Sequence, residues 1–518
     1  MIVALSRDQI RALDACAADE CNVPGIVLME NAGRGAAEAI EGLLEESGAE
    51  GHVLVLCGPG NNGGDGFVVA RRLVVRGHEA RVVLTARPDR LKGDALANYK
   101  AWTGLGGAVT EIPSDAELAR LDGELEGAVC IVDALLGTGL DRDVEGRLRT
   151  IIERINAADV LRVALDIPSG LHADTGRVLG VAVRAHATMT FAHLKLGLLA
   201  STGAEHAGQL EVVDIGVPAA LHERVGHAAT LVEAEDVAAA IAPRPLATHK
   251  GSAGRVIAVA GSAGKTGAAL LVARGALRAG AGLVSICTSP EAADSLDRRV
   301  LEEMTLRIDP ARLEASLDEH LAGAAAVAVG PGVGLDERAR KVVDHIVLGW
   351  EGVKVVDADA LTHFAERAAE LANAVGRLIL TPHPGEMGRL LGISAAEVEA
   401  DRFGALARAV ELTRSVVLLK GARTLIGAPG ELPVVNSSGT PALATAGAGD
   451  VLSGITLALA CSLAPRQAAW CAAWVHGSAA EAWAGETGAD RGLLAHEVAD
   501  RVPQVLAGLA SVPGSLPL

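Results

Sequence analysis

Two glycine-rich segments of the sequence each carry a carboxylate and could bind phosphate and move a proton. The first is residues 58–66 (GPGNNGGDG), and the second is residues 447–450 (GAGD), which precede an apolar run. Glycine permits positive φ and close approach of a ligand, and backbone N–H groups at a helix N-terminus bind anions. We therefore predict a phosphate site at each segment. A glycine-rich turn or a helix-capping aspartate is the alternative.

Two further aspartates of the first half stand where predicted strands end. Asp133 precedes residues 137–143 (GTGLDRD), and Asp166 precedes residues 168–170 (PSG). Ligands of open parallel sheets bind beyond the carboxyl ends of the strands. We therefore expect these loops and residues 58–66 to converge on one site, although each aspartate alone could cap a loop.

In the second half, Asp450 closes the GAGD segment. An aspartate beside helix-terminal N–H groups can take the proton from an attacking hydroxyl while those groups stabilise a transferred phosphoryl group. Residues 261–266 (GSAGKT) resemble a phosphate-binding loop, but Val259 stands where that motif requires glycine. We interpret Lys265 as a loop residue near the site without a catalytic role.

Elements that could position these residues alternate along the chain. The strands predicted in the first half are 52–58, 80–85, 128–135, 160–167 and 210–215, with helices predicted at 67–77, 91–102 and 148–157. Two helices precede them, with Ser6 as the N-cap of the first and Pro24 opening the second. The same alternation restarts at residue 255 after a proline-containing junction. Such alternation predicts βαβ units and mostly parallel sheets.

Length, composition and charge limit the domain organisation, the partners and the location that we predict for this chain. The chain has 518 residues, half of them hydrophobic, with 10 aromatics and a net charge of −18. We predict two α/β domains, 1–222 and 223–518. The acidic charge argues against nucleic acid as a partner. Seven scattered cysteines, with no signal peptide or apolar span, predict a cytoplasmic protein that does not cross a membrane.

Three segments of the first half, NNGGDG, VDALLGTG and LDIPSG, resemble the NAD(P)H-hydrate epimerase domain in that order, over about residues 8–220. The resemblance implies a Rossmann-like fold and exchange of the C6 epimers of hydrated NADH and NADPH (NADHX and NADPHX). It also implies a potassium ion held by Asn62, Asp133 and Ser169. The implied hydrate contacts are Asn61, Asn62, Gly63, Gly64, Asp65, Gly137, Thr138, Gly139, Leu140, Asp141, Arg142, Asp143 and Asp166.

The chemistry of this half is reasonable on its own terms. Epimerisation requires the C6–OH bond to be loosened, and the carboxylate of Asp133 or Asp166 could shuttle the proton. The residues alone do not decide between the two. Oxygen ligands suit a hard monovalent cation rather than zinc. Lys195 could favour an anionic ligand or be a solvated lysine.

Five segments precede GAGD in the second half. They are 249–252 (HKGS), 329–332 (VGPG), 357–361 (DADAL), 381–386 (TPHPGE) and 420–424 (KGART). The set resembles the ADP/ATP-dependent NAD(P)H-hydrate dehydratase, a ribokinase-like fold, over about residues 230–512. The resemblance implies hydrate contacts at Gly332, His383 and Asp450. The implied adenine-nucleotide contacts are Lys420, Gly421, Ala422, Arg423, Thr424 and Gly449, with Mg²⁺ accompanying ADP.

The resemblance implies a bifunctional repair enzyme. Asp450 would deprotonate the C6 hydroxyl of the S epimer for attack on ADP, with release of AMP and phosphate. A homo-oligomer is expected. Two alternatives are a ribokinase-like small-molecule kinase with a regulatory N-terminal domain, and a non-catalytic scaffold. The preferences for ADP or ATP and for NADHX or NADPHX cannot be determined from the residues.

Overall fold

The computed structural model describes residues 1–509 and divides the chain into two compact units. The N-terminal unit is Val3–Ala229, and the C-terminal unit comprises Met1–Ile2 and the chain from Thr230 onward. Residues 510–518 of the predicted second domain lie outside the described residues. No helix within residues 1–509 is long and apolar enough to cross a membrane.

The N-terminal unit consists of nine strands and nine α-helices. The strands are β1 (Ile2–Leu5), β2 (His52–Cys57), β3 (Ala80–Leu84), β4 (Val109–Glu111), β5 (Ala128–Ala134), β6 (Leu161–Leu165), β7 (Ala187–Phe191), β8 (Leu194–Lys195) and β9 (Gln209–Val213). The helices are α1 (Arg7–Cys21), α2 (Gly25–Ser47), α3 (Asn61–Val75), α4 (Gly93–Gly104), α5 (Ala119–Leu125), α6 (Gly146–Ala157), α7 (Leu196–Leu199), α8 (Ser201–Ala207) and α9 (Ala219–Val225).

Seven of these strands form one parallel sheet in the order β4-β3-β2-β5-β6-β7-β9. Helices cover both faces, because α2 and α3 contribute to one apolar cluster and α6 to another. The strand order reverses between β2 and β5. In a doubly wound sheet, the ligand crevice opens at this reversal, beyond the carboxyl ends of the two strands.

The C-terminal unit contains the remaining elements. Its strands are β10 (Ala229–Val232), β11 (Arg255–Val259), β12 (Leu283–Thr288), β13 (Met304–Arg307), β14 (Ala326–Val329), β15 (Val353–Val356), β16 (Arg377–Leu380), β17 (Val416–Leu419), β18 (Leu425–Gly427) and β19 (Val434–Asn436). Its α-helices are α10 (Ala234–Ala240), α11 (Thr266–Arg278), α12 (Pro290–Leu296), α13 (Leu313–Leu321), α14 (Glu337–Asp344), α15 (Asp359–His363), α16 (Pro384–Leu391), α17 (Ala395–Ala400), α18 (Arg402–Thr413), α19 (Ala448–Leu459), α20 (Pro465–Thr487) and α21 (Ala495–Leu509).

In this unit, strands β13-β12-β11-β14-β15-β16-β17 are parallel neighbours, and β17, β18 and β19 continue the sheet with antiparallel pairings. Helices α11 and α19 pack backbone to backbone. A Cβ on Gly275 would lie 2.5 Å from the Val451 carbonyl oxygen, and one on Gly454 would lie 2.1 Å from the Val272 oxygen. The order reverses between β11 and β14, which places a second crevice at their carboxyl ends.

The predicted α/β class is confirmed in both units, and so is the predicted start of α1. Ser6 caps that helix through a capping box with Gln9. Pro24 is the N-cap residue of α2. The short strands β4, β13, β18 and β19 are missing from the sequence-based prediction, since three or four residues show too little periodicity.

Candidate active sites

The first candidate site is a cavity of about 750 Å³ in the N-terminal unit, at the reversal between β2 and β5. The loops that follow these two strands form its wall, joined by residues of α1, α2 and β7. Predicted hydrate contacts that line it are Asn61, Asn62, Asp65, Gly137, Thr138, Gly139, Leu140, Asp141, Arg142 and Asp166. Gly63, Gly64 and Asp143 are not among its lining residues.

The glycines of residues 58–66 serve a purpose that differs from our prediction. None of them has positive φ, and helix α3 begins at Asn61, six residues before the predicted start. A Cβ on Gly63 would lie 1.9 Å from the Gly58 carbonyl oxygen, and one on Gly66 would lie 2.8 Å from the Cys57 sulfur. These glycines therefore let the helix N-terminus pack tightly against β2, and the expectation that they supply positive φ was wrong.

Asp133 lies beneath the cavity wall. It is 1 % exposed. Its carboxylate accepts hydrogen bonds from the Ser169 backbone N–H (2.8 Å), the Ser169 hydroxyl (2.6 Å) and the Leu135 N–H (3.2 Å). Burial raises the pKa of Asp133 to about 6, although these hydrogen bonds lower it. The hydrogen bonds tie the loop after β5 to the loop after β6.

Asn62 presents a buried oxygen without a partner beside this network. Its amide nitrogen donates to the Leu136 carbonyl (3.0 Å), while its Oδ1 accepts no hydrogen bond within residues 1–509. A buried polar atom without a partner in the protein calls for an ion or a water. Amide, carboxylate and hydroxyl oxygens suit a hard cation. The predicted potassium ligands Asn62, Asp133 and Ser169 therefore fit such an ion chemically.

Asp166 faces the cavity and is paired with a buried cation. Its carboxylate forms an ion pair with Lys195, which is fully buried and also donates to the Thr190 hydroxyl (2.9 Å) and the Phe191 carbonyl (2.8 Å). The alternative of a solvated Lys195 was therefore wrong. Asp166 has φ +66, a strained conformation typical of functional sites.

Two more carboxylates of this cavity have unusual surroundings. Asp65, in the first turns of α3, is buried, and burial with the charges of Asp166 and Asp14 raises its pKa well above the ordinary value. Asp14 of α1 lines the cavity as well. Sequence analysis missed Asp14, because an aspartate in an amphipathic helix carries no signal of the site that it faces.

The second candidate site lies in the C-terminal unit, where the loops after β11 and β14 meet. The Gly261 N–H donates to the Pro331 carbonyl (2.8 Å), and a Cβ on Gly332 would lie 3.1 Å from that of Lys265. The Lys265 ammonium lies 3.2 Å from Asp359. The predicted residues Gly332 and Lys265 are thus neighbours.

Asp450 lies in the first turn of α19, and Gly447 is the N-cap with φ +88. The Lys420 ammonium would be 3.4 Å from a Cβ on Gly449, so the two predicted nucleotide contacts approach each other. Burial and the negative charge of Asp357 raise the pKa of Asp450 to about 7, although Lys420 lowers it. A carboxylate with such a pKa can accept and release a proton near neutrality.

A buried network holds Lys420 in this position. Asp357, which is 1 % exposed, accepts from the Lys420 ammonium (2.7 Å) and from the Ser453 hydroxyl of α19 (2.6 Å). Glu386 lies 3.7 Å from the same ammonium. Burial lowers the pKa of Lys420, but the charges of Asp357 and Glu386 outweigh burial and raise it. Asp357 was quoted in the DADAL segment without a role, so the sequence offered a signal that was not used.

The turn that contains the other nucleotide contacts is held by hydrogen bonds. Gly421 and Arg423 have φ +138 and +54. The Thr424 hydroxyl donates to the Gly421 carbonyl (2.9 Å), and Arg423 donates to the Ser437 carbonyl (2.8 Å). Arg402, which is 1 % exposed, donates to the Lys420 carbonyl from beneath (3.2 Å). Ala422 lies inside this turn.

His383 has a structural role that the sequence analysis did not predict. It is the N-cap of α16, where its Nδ1 accepts from the Gly385 N–H (3.0 Å) and Glu386 completes a capping box. Half of its side chain is exposed, so a face stays open to a ligand. His476 was missed entirely: it is buried and contacts the Ala448 carbonyl (3.0 Å), and burial lowers its pKa to about 4.

Another cavity among the described residues is lined by none of the predicted site residues. A cavity of about 790 Å³ in the C-terminal unit is lined by Arg244, Arg278, Cys461 and mainly apolar side chains. It lies at the ends of α11 and α19 that are opposite to Asp450. No group of three or more His, Cys, Asp or Glu side chains within residues 1–509 is arranged to hold a metal ion.

Comparison with known proteins relates both units to one family. The family model for NAD(P)H-hydrate dehydratase matches residues 256–504, and the model for the YjeF-related protein N-terminus matches residues 25–197. The bifunctional NAD(P)H-hydrate repair enzyme Nnr of Moorella thermoacetica is 41 % identical over 96 % of this chain and 95 % of its own. The chain belongs to the bifunctional NAD(P)H-hydrate repair enzyme family. The corresponding Escherichia coli protein is 35 % identical over 96 % of this chain and 93 % of its own.

Among solved structures, the Bacillus subtilis ADP/ATP-dependent NAD(P)H-hydrate dehydratase co-crystallised with ATP/Mg²⁺ is 31 % identical. The match covers 54 % of this chain and 98 % of the Bacillus subtilis chain, with a TM-score of 0.48. Membership of the repair family confirms the predicted Rossmann-like and ribokinase-like fold classes and the predicted bifunctional activity. The chain is an NAD(P)H-hydrate epimerase and dehydratase, and this assignment favours repair over the kinase and scaffold alternatives.

Proposed function

We propose that the two activities of this repair enzyme reside in separate sites, one in each unit. Epimerisation is assigned to the cavity at the reversal between β2 and β5, within predicted domain 1–222, and we call this cavity the epimerase cavity. Dehydration is assigned to the Asp450 site, within predicted domain 223–518. The observation that carries this proposal is Asp450 itself, a carboxylate with a pKa of about 7 at a helix N-terminus beside Lys420.

In the epimerase cavity, Asp166 rather than Asp133 is the proposed proton carrier. Asp166 lines the cavity, whereas Asp133 is 1 % exposed and engaged by Ser169. The Asp166 carboxylate is paired with the buried Lys195 ammonium. Gly63 and Gly64 stay part of the proposed site, because N–H groups at the N-terminus of α3 can bind phosphate. Asp143 and the remaining predicted hydrate contacts are retained on the resemblance.

In the dehydratase site, Asp450 takes the proton from the C6 hydroxyl of the S epimer. The oxygen attacks the terminal phosphoryl group of ADP, and AMP leaves with the electrons of the broken P–O bond. The phosphate ester at C6 then departs as the ring nitrogen donates its electron pair, and loss of a C5 proton restores the double bond. The proposed nucleotide contacts are Gly449 and the turn from Lys420 to Thr424. The proposed hydrate contacts are Gly332 and His383.

Metal ions are assigned from the chemistry of the side chains. Potassium is proposed at Asn62, Asp133 and Ser169, where it would supply positive charge close to the hydrate. Mg²⁺ is proposed to enter with the nucleotide, because this ion is usually bound by phosphates and one or two carboxylates. Asp357 and Asp359 are the nearest candidates for that role. A cytoplasmic homo-oligomer remains our expectation for the assembled enzyme.

Two variants of the full chain test the separation of the sites. Asp450→Asn should reduce conversion of the S epimer by about 10²–10⁴, the range contributed by general acid–base groups, while R and S epimers still interconvert. Asp166→Asn should show the reverse, with consumption of the S epimer and release of AMP and phosphate intact. Recovery of NADH absorbance and chromatography of the epimers measure both. A stable phosphorylated product from wild-type protein would instead indicate a kinase.

The potassium assignment is tested without activity. Because an ion that binds only the folded state stabilises it, KCl should raise the unfolding temperature of the wild type above its value in choline chloride at equal ionic strength. Asn62→Leu should lose this rise, whereas the neighbouring Asn61→Leu should keep it. Equal rises for wild type and Asn62→Leu would exclude Asn62 as a ligand.

A further inference from the structure

Helix α1 carries a carboxylate into the epimerase cavity that neither the motifs nor the proposed contacts include. Ile10, Arg11 and Asp14 line the cavity, while Leu13 and Ala17 of the same helix are buried in the core. The helical period places residues i and i+4 on one face. Packing through Leu13 therefore turns Asp14 toward the cavity, whose wall encloses part of its carboxyl group while the residue stays open to solvent.

Asp14 has no direct partner in the described part of the chain. Within residues 1–509, no group donates a hydrogen bond to it or forms an ion pair with it. Asp166, by contrast, is paired with Lys195 and accepts from the Phe191 N–H (3.4 Å). A carboxyl group without a protein partner is free to exchange its proton with a bound molecule.

Partial burial and one neighbouring charge favour the protonated form of Asp14. Titratable groups that line the cavity with it are Arg11, Asp65, Asp94, Asp141, Arg142, Asp166 and Lys195. Enclosure by surrounding protein, together with the negative charge of Asp166, raises the pKa of Asp14 to about 6, although Lys195 lowers it. The cavity thus combines a carboxylate that is paired with a buried lysine and a carboxyl group whose pKa is raised.

We propose that Asp14 is a further catalytic residue of the epimerase, the acid that protonates the C6 hydroxyl, with Asp166 as its partner base. Two carboxyl groups with contrasting surroundings, one paired with a buried ammonium and one without a protein partner, can serve as the base and the acid of one site. The inference rests on the proposed location of epimerisation in this cavity.

The proton balance of this step is simple. Asp14 gives its proton to the C6 hydroxyl oxygen, the C6–O bond breaks, and water leaves with the bonding electrons. The ring nitrogen supplies its lone pair to form the C6–N double bond. Water then adds to the opposite face of C6 and gives a proton to Asp166, and the nitrogen recovers its lone pair. Asp166 then releases this proton to solvent, solvent returns one to Asp14, and no oxidant or reductant is required.

Asp14→Asn in the full chain tests the proposal. With the R epimer as substrate, we expect kcat for epimerisation to fall by about 10²–10⁴, with little change in KM. Wild-type kcat should decline as the pH rises through about 6, since the protonated fraction of Asp14 falls. Asp14→Glu should keep a declining limb. Dehydration of the S epimer by the same molecules should be unchanged. Asp19→Asn, exposed on the same helix away from the cavity, is the matched control.

Each outcome decides something different. If Asp14→Asn keeps kcat within about threefold of wild type while Asp166→Asn is inactive, Asp14 is not the acid and the proposal is overturned. If both variants epimerise normally, the cavity is not the epimerase site and the proposed location fails. If Asp14→Asn unfolds, Asp14→Glu decides, because a folded glutamate variant without the declining limb overturns the proposal.

Discussion

At the scale of single residues, packing gives the same residue type different tasks. Asp133 lies at the end of β5 and Asp166 directly after β6, yet one is enclosed by Ser169 and the other faces a cavity beside Lys195. Burial and the negative charge of Asp357 raise the pKa of Asp450 to about 7. The surroundings of a carboxylate, more than its place in a motif, decide whether it binds a ligand, holds a neighbouring loop in place or transfers a proton.

The pKa of Asp450 predicts how dehydration depends on pH. The base must be ionised, and its ionised fraction grows as the pH rises through about 7. kcat/KM for the S epimer should therefore rise about tenfold per pH unit below this value and level off above it. Lys420→Met, which removes a charge that lowers this pKa, should move the midpoint upward. A flat profile for the wild type would argue against Asp450 as the base.

At the scale of elements, close helix contacts depend on glycine at particular positions. Helix α3 begins inside the segment that we predicted to be a loop, and Gly63 lies in its first turn, against the Gly58 carbonyl oxygen. Helices α11 and α19 meet at Gly275 and Gly454 in the same way. The glycines were recognised as a signal, but their spacing alone could not distinguish a ligand loop from a packed helix start.

Gly63→Ala tests whether the start of α3 needs a glycine to pack against the Gly58 carbonyl oxygen. Alanine is the better helix former by about 1 kcal/mol, but its Cβ would lie 1.9 Å from a backbone oxygen that cannot move freely. We expect a net loss of about 1–3 kcal/mol in the free energy of unfolding, measured by denaturant titration. Gly42→Ala in α2 is the control, since nothing lies within 4 Å of its Cβ position and it should be neutral or stabilising. A stabilised Gly63→Ala would contradict the packing role.

At the scale of the whole molecule, two α/β units each offer a crevice where the strand order reverses. The repeated architecture explains how one chain carries two activities on one hydrated cofactor. Each crevice combines a helix N-terminus with carboxylates whose pKa is raised by burial. The crevices differ because the second contains Lys420 and the proposed nucleotide-binding turn, whereas the first contains the buried Lys195.

The sequence by itself determined the order and class of both units, the glycine-rich segments and the aspartate at the start of α19. These follow from hydrophobic periodicity and local backbone preferences, which act within one segment. The tertiary structure alone decided that Lys195 is buried on Asp166, that Asp133 points inward, and that Asp14 of α1 reaches the same cavity. Distances between side chains from separate segments depend on strand order and helix packing, and no local pattern in a single sequence encodes them.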